Sequence, residues 1–381
     1  MAHVGDYQPN RANGVDRAIA GLVTFLPQSD IDAELWRIER GLKTPYLTSV
    51  DGIAMWTVPA RRGLLGRVFP LPRRTRQWIQ TQADRVDLIH LHSVFRPLNV
   101  AFARQGISYV LTPHGGYAPQ VMGGRRRRLK TLWWYSRERS LVTNACLVHL
   151  MSERELADLQ QLTRSRLRTS VVAPNGIAPA DFRQSYGGDS TGCLLFLGRI
   201  AVRHKGLDLL FEGYALALSK TKSLPPLLLV GPDHDGGIAT LRSLSIRLGI
   251  EGHISFEESA TGAATKAAFR GARAFVHSSR SEGLPFAVLE ALAAGLPAIL
   301  TTDTNLRSIA EDADCAFGCD ATSASIAEAL LAISGTSAER LIEMGDNAAR
   351  LIRSQFGWPA ICASMASAYR SAVQTKGQVT G

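Results

Sequence analysis

The second half of the chain alternates short apolar runs with amphipathic stretches, and that alternation predicts βαβ units. CLLFLG (193–198), PPLLLVGPD (225–233), HISFEE (253–258), RAFVHSS (273–279) and AILTT (298–302) read as strands, most ending in small or polar residues. LDLLFEGYALAL (207–218), IATLRSLSIRLG (238–249), ATKAAFRGA (264–272) and the segment 285–294 carry helical spacing between them. The first half repeats the pattern. VDLIHLHS (86–93), YVLTPHG (109–115), ACLVHLMS (145–152) and SVVAPNG (170–176) read as strands. VDRAIAGLVTFL (15–26), RRLKTLWWYSRERSLV (127–142) and SERELADLQQL (152–162) read as helices, the last with a capping box from Ser152 and Glu155. Strands separated by helices at this interval mean parallel sheets. A polar, glycine-rich break at 182–192 divides the two halves. The expected fold is α/β, with two doubly wound Rossmann-like domains at 1–184 and 185–357. A terminal helix and tail at 358–381 is expected to cross back to the first domain. Ligands of such sheets bind outside the carboxyl ends of the strands, so a cleft between the domains is the expected site.

The segment EGLPFAVLEALAAGLPAI (282–299) narrows the chemistry. Glu282 lies in a Gly/Pro turn, and Glu290 on the helix that follows. Pro285 suits a first helical position, where its missing N–H has no intrahelical partner. The start of that helix is an anion site, where Gly283, Leu284, Pro285 and Phe286 can present backbone. Glutamates there would repel a phosphate, so they suit the hydroxyls of a sugar. The plainer reading is an amphipathic helix with exposed glutamates after a turn. Gly198 and Arg199 directly follow the strand CLLFL, and Lys205 opens the next helix, so both cations can face a diphosphate; a solvated basic turn is the alternative. His114 ends a strand and precedes two glycines, which leads either to a ligand or to a structural turn. Asn13 and Gly14 precede the first helix, where backbone N–H groups can face phosphate.

Charge adds a surface. The net charge is +10, and all of the excess lies in residues 1–185. Arg125 to Arg128 and Lys130 lead into Trp133, Trp134 and Tyr135, and Arg61, Arg62, Arg67, Arg73, Arg74 and Arg76 surround LLGRVFPLP. Such patches suit an anionic membrane surface better than nucleic acid, for which no binding module is present. No apolar run approaches the roughly 20 residues that span a bilayer. The N-terminus has no secretory signal pattern. Five scattered cysteines suit a reducing compartment. The expectation is a cytoplasmic protein, peripheral on the inner face of the cell membrane. Asp233 and Asp235 end a strand without a further carboxylate for Mg²⁺, and no metal or cofactor site is expected.

GR…KG at 198–206, LLLVGPD at 227–233, SSRSEGLPFAVLEALAAGLPAI at 278–299, VVAPNGI at 171–177 and TPHGG at 112–116 together resemble the retaining glycosyltransferases of family 4. The resemblance covers most of the chain. It implies the GT-B fold and metal-independent transfer of a hexose, with retention, from a UDP- or GDP-linked sugar to a lipid-linked glycan in polysaccharide biosynthesis. It gives Arg199 and Lys205 to the donor diphosphate, Glu282 to the sugar hydroxyls, Glu290 to the ribose and His114 to the sugar near the reacting carbon. Backbone around Gly283 to Phe286 would hold sugar and phosphate. Two departures stand out. The first loop has Asn13-Gly14 where the family pattern has two glycines, and the first strand is short. The rival readings are a nucleotide-sugar epimerase of the same fold class and a non-enzymatic binder of membranes or nucleic acid.

Overall fold

The computed structural model describes all residues except 9–13, 51, 125, 165–166, 168, 179–188, 190, 222, 258–262, 283 and 380–381. The chain divides into two units, Met1–Gly176 with Trp358–Gly381, and Ile177–Gly357. The boundary expected at 184/185 lies outside the described residues.

The first unit is built on an eight-stranded sheet. Its strands are β1 (Ala2–Gly5), β2 (Glu34–Arg40), β3 (Tyr46–Val50), β4 (Ile53–Ala60), β5 (Leu88–His92), β6 (Ser108–Thr112), β7 (Leu147–Leu150) and β8 (Ser170–Val172), in the order β3-β4-β2-β1-β5-β6-β7-β8. Only β3 runs antiparallel, against β4. The order reverses between β1 and β5, which is where open α/β sheets bind ligands. Strand β5 is buried along its whole length, including His90 and His92. Trp36, Phe102, Leu111 and Trp134 are among the core residues.

Two sequence expectations change here. Strands β2 to β4 are not announced by apolar runs, because charged residues such as Glu34, Arg37 and Glu39 interrupt β2. Trp36 of β2 nevertheless packs in the core against Trp78 and Phe102. The long helix expected at 127–142 is broken by a π turn at Trp134–Glu138, flanked by α segments Arg127–Trp133 and Arg139–Thr143. That turn carries both Trp134 and Glu138 into the interior. The tryptophans are therefore not a membrane-facing patch. Trp134 is core and Trp133 binds Glu138, while Leu129, Leu132 and Tyr135 are the exposed apolar groups.

The second unit holds β9 (Cys193–Leu197), β10 (Leu227–Val230), β11 (Ile254–Glu257), β12 (Ala272–His277), β13 (Ala298–Thr301) and β14 (Ala316–Cys319). They lie in the order β11-β10-β9-β12-β13-β14, all parallel, with the switch between β9 and β12. The inner strands β9, β10, β12 and β13 are covered on both faces and are nearly continuous apolar runs. Leu194, Phe196, Leu210, Phe211 and Leu330 form part of the core. Pro285 is the N-cap rather than the first helical residue. Its ψ of 116° is extended, and the helix runs from Phe286 to Ala293.

The last helix, Trp358–Val379, belongs to the first unit. A Cβ at Gly21, inside the helix Gly14–Phe25, would fall 2.1 Å from the Trp358 ring. An interior helical glycine normally costs about 0.5–1 kcal/mol relative to Ala. Here Gly21→Ala should instead lose about 1–3 kcal/mol through overpacking against Trp358. Denaturant unfolding followed by fluorescence measures the sign, and a gain in stability would contradict this packing.

Candidate functional site

The second unit places its charged groups at the switch point. β9 ends at Leu197, and the segment after it carries Arg199, His204 and Lys205 before the helix Leu207–Leu218. β12 ends at His277, and the segment after it carries Ser278, Ser279, Arg280 and Glu282. The two segments are stitched together. Ser278 Oγ donates to the Lys205 carbonyl (2.9 Å), and Arg280 N–H donates to the His204 carbonyl (3.1 Å). The Arg280 guanidinium forms a two-pronged pair with Asp208 in the first turn of the helix, at 2.7 and 2.9 Å. Gly206 permits the approach. Its φ is +61°, and a Cβ there would sit 2.1 Å from the Ser278 carbonyl oxygen.

Lys205 and Glu282 form an ion pair across this junction, with side chains 12% and 13% exposed. Ser279 Oγ donates to the same carboxylate oxygen (2.8 Å), and His277 Nε2 lies 3.4 Å from it. The backbone of Glu282 is held too, by Asp303 O (3.0 Å) and Asn305 Nδ2 (2.8 Å). Burial works against the Glu282 charge, but the Lys205 ammonium and the His277 hydrogen bond outweigh it. The carboxyl therefore stays well below the ordinary range. Burial keeps His277 neutral against the pull of Glu282. His204 is also pushed down, by burial first. Glu282 draws it up, while Lys205, Arg199 and His234 drive it down, so these charges share one field.

Arg199 is exposed at the end of β9. Glu290 is half-buried on its helix. Leu284 and Phe286 are buried side chains, so only their backbone can face a ligand. Gly283 and Asn13 lie outside the described residues. His114 and Gly14 belong to the first unit, where Gly14 is the exposed first residue of its helix.

In the first unit, His114 follows β6 with a left-handed φ of +53°, a strained setting for a residue with a side chain. Glu155 supports it. Its carboxylate accepts the Gly115 N–H (2.5 Å) and the Met151 N–H (2.7 Å). The capping box is thus half formed: Ser152 Oγ caps Glu155 N (3.2 Å), but the glutamate serves the turn beside His114 and the residue before the cap. Glu138 does similar work for the segment after β5, accepting from Phe95 N (2.9 Å), Tyr117 Oη (2.9 Å) and Trp133 Nε1 (2.7 Å).

Behind His114 stands a group of buried imidazoles on one face of the sheet. His92 Nδ1 lies 3.0 Å from His114 Nε2, and His92 Nε2 lies 3.1 Å from His3 Nδ1. A second line has a defined direction. The Ala173 carbonyl can only accept, so His149 Nε2–H donates to it (2.8 Å). The other His149 nitrogen then accepts from Thr112 Oγ (3.0 Å), which accepts from His90 Nε2 (2.6 Å), whose Nδ1 accepts from Tyr369 Oη (2.9 Å). Among the described residues, His3, His90 and His92 are the one group spaced to hold a metal ion. His90 and His92 already spend their nitrogens on these hydrogen bonds. Sequence reasoning missed Glu138, Glu155, His277 and the histidines behind His114. The only signal was the His-x-His spacing at 90 and 92, which sets both on one strand face.

Two family models match adjoining parts of the chain, "Glycosyltransferase Family 4" over residues 12–181 and "Glycosyl transferases group 1" over residues 181–350. The chain belongs to glycosyltransferase family 4. Relatives of this glycosyltransferase include a GDP-mannose:cellobiosyl-diphosphopolyprenol alpha-mannosyltransferase of Komagataeibacter xylinus. It is 28% identical over 72% of this chain and 68% of that protein. A protein of the same description from Xanthomonas campestris is 27% identical over 56% of each. Among solved structures, the fold matches sucrose-phosphate synthase of Thermosynechococcus elongatus, with TM-score 0.77, 18% identity and coverage of 98% and 99% of the two chains. It also matches an Anabaena protein in complex with UDP and glucose, with TM-score 0.72, 16% identity and coverage of 97% and 99%. The fold is GT-B.

Two predictions follow from the charges. Lys205→Met strands a buried carboxylate and should cost about 3–5 kcal/mol, most of it regained in Lys205→Met/Glu282→Gln. The native Glu282 carboxyl lies below its unfolded value, so its contribution is complete above an unfolded pKa of about 4.3 and is lost as pH falls through the folded one. The gap between wild type and Lys205→Met should therefore be widest at neutral pH and close under acid. An equal gap at pH 7 and pH 3 in chemical denaturation would contradict it. The second concerns the histidines. Burial lowers His3 and His114 to about 3, His149 to about 4, and His90 and His92 far below normal. Their stabilisation is complete above about pH 6.5 and falls with pH by about 1.4 kcal/mol per unit for each group. All six tryptophans, at 36, 56, 78, 133, 134 and 358, lie in the first unit, so their fluorescence reports on it alone. That signal should show a steep, multi-proton transition below about pH 6. A signal unchanged down to pH 4 would refute the neutral-imidazole assignment.

Proposed function

We propose that this glycosyltransferase moves a hexose, with retention at the anomeric carbon and without a metal ion, from a UDP- or GDP-linked sugar to a lipid-linked glycan in polysaccharide assembly. The observation that carries the proposal is the buried Lys205–Glu282 pair at the switch point of the second sheet, in a chain whose relatives are described as GDP-mannose transferases. GDP-mannose is accordingly the first donor to test.

In this reading Arg199 and Lys205 neutralise the departing diphosphate, and Glu282 receives sugar hydroxyls while the ammonium beside it keeps it ionised. Glu290 takes the ribose, backbone at 283–286 takes sugar and phosphate, and His114 has the sugar-side role that the family resemblance gives it. The leaving phosphate oxygen accepts the proton of the acceptor hydroxyl. Catalysis then comes from positioning and from preorganised charge at the leaving group. Membrane contact is supported by two exposed patches of mixed character. Leu64, Val68 and Phe69 neighbour Arg61, Arg62 and Arg67, and Leu129, Leu132 and Tyr135 neighbour Arg127, Arg128 and Lys130. No helix among the described residues is long and apolar enough to cross a membrane.

Arg199 is exposed, so Arg199→Ala should fold normally yet lose about 10²-fold or more in transfer, the scale of one preorganised donor. The assay supplies GDP-mannose, UDP-glucose and related donors with a diphosphate-linked glycan and reads the product's anomeric configuration by NMR. Full turnover in Arg199→Ala, or an inverted product, would overturn the proposal.

A further inference from the structure

The first unit contains a cavity of about 580 Å³, well inside the size range of small-ligand sites, at the carboxyl ends of four strands. Asp6 follows β1, Arg40 ends β2, Ala60 and Arg61 close β4, and Phe95 and Arg96 follow β5. This is the point where the strand order of the first sheet reverses, the place where doubly wound sheets seat their ligands.

The walls are strongly cationic. Arg40, Arg61, Arg67 and Arg96 line the cavity against a single carboxylate, Asp6, which pairs with Arg96 at 2.8 Å. Among the described residues no carboxylate pairs with Arg40, Arg61 or Arg67. Arg61 donates to the Phe69 carbonyl, at 3.4 Å. Three guanidinium groups with no carboxylate partner among the described residues, at a strand-end cavity, call for an anion of more than one charge. The rim has the opposite character. Leu64 is 79% exposed and itself lines the cavity, and Val68 and Phe69 are 66% and 63% exposed beside it. A polyanion seat opening onto exposed apolar side chains is complementary to an amphiphile whose charge sits next to its hydrocarbon.

We infer that this cavity binds the diphosphate of a prenyl-diphosphate-linked acceptor, with the first part of the hydrocarbon lying over Leu64, Val68 and Phe69. The inference rests on the lipid-linked acceptor proposed above and assigns its anchoring group to named residues. The arginines hold the two phosphates, so the glycan end of the acceptor is fixed by its charged link rather than by sugar contacts alone.

The test is direct binding to the full-length chain and needs no turnover. With GDP in excess to fill the nucleotide site, inorganic pyrophosphate and farnesyl diphosphate are titrated calorimetrically into wild type, Arg40→Ala/Arg67→Ala and Leu64→Ser/Phe69→Ser. The substituted side chains are exposed, and thermal midpoints equal to wild type verify folding. Wild type should bind farnesyl diphosphate more tightly than pyrophosphate. Arg40→Ala/Arg67→Ala should weaken both at least tenfold, about 1.4 kcal/mol. Leu64→Ser/Phe69→Ser should weaken farnesyl diphosphate alone. Indifference to the Arg40/Arg67 change would overturn the site. Equal affinity for the two ligands would make it a free-phosphate site and overturn the lipid assignment. Binding to phosphatidylglycerol vesicles that depends on these arginines, with no binding of either diphosphate, would make it a membrane surface instead. A chain that binds farnesyl diphosphate in this pattern yet transfers no sugar would sink the proposed function and leave this site standing.

Discussion

The buried ion pair between Lys205 and Glu282 is the constraint on which the second unit's site depends. Two charges taken out of water are tolerable only if each satisfies the other and the remaining lone pairs find donors. Here Ser279 and His277 provide them on the carboxylate side. Ser278 pins the backbone of Lys205, and Asn305 and Asp303 pin that of Glu282. The pair thus joins the segments after β9 and β12 at the switch point and holds a cation and an anion ready side by side. A ligand carrying both diphosphate and hydroxyls can exploit each without the protein first having to charge or reorient a group.

The first unit uses the opposite strategy. Its strand ends are built over neutral imidazoles kept uncharged by burial, with a hydrogen-bond direction dictated by the Ala173 carbonyl. Two buried glutamates hold the loops above. Glu155 holds the turn at His114–Gly115, and Glu138 holds Phe95 at the start of the helix that follows β5. Each carboxyl is raised by burial and partly restored by its donors. The left-handed φ at Ser93, Phe95 and His114 is concentrated in these two loops, which is where a rigid support is needed to sustain it.

Much of this was legible in the chain. Parallel strands announce themselves as apolar runs where both their faces are covered, so β5 to β7, β9, β10, β12 and β13 stand out. The pairing of Lys205 with Glu282 was within reach because both follow strands of one sheet. β2 was hidden because its exposed end carries Arg37, Glu39 and Arg40. The π turn at 134–138 cannot be read from periodicity, which continues smoothly through it, so the sequence alone leaves Trp133 and Trp134 beside the basic run as part of one patch. The supporting glutamates were invisible for another reason. A buried Glu looks like any helical Glu until the distant N–H groups it serves are known, and Glu155 serves Gly115 from forty residues away.

The most direct measurement is a crystal structure of the chain grown with GDP. The account predicts density for the diphosphate against Gly198, Arg199 and Lys205, with the ribose toward Glu290. Nucleotide bound elsewhere, or a Lys205–Glu282 pair walled off from it, would contradict the account.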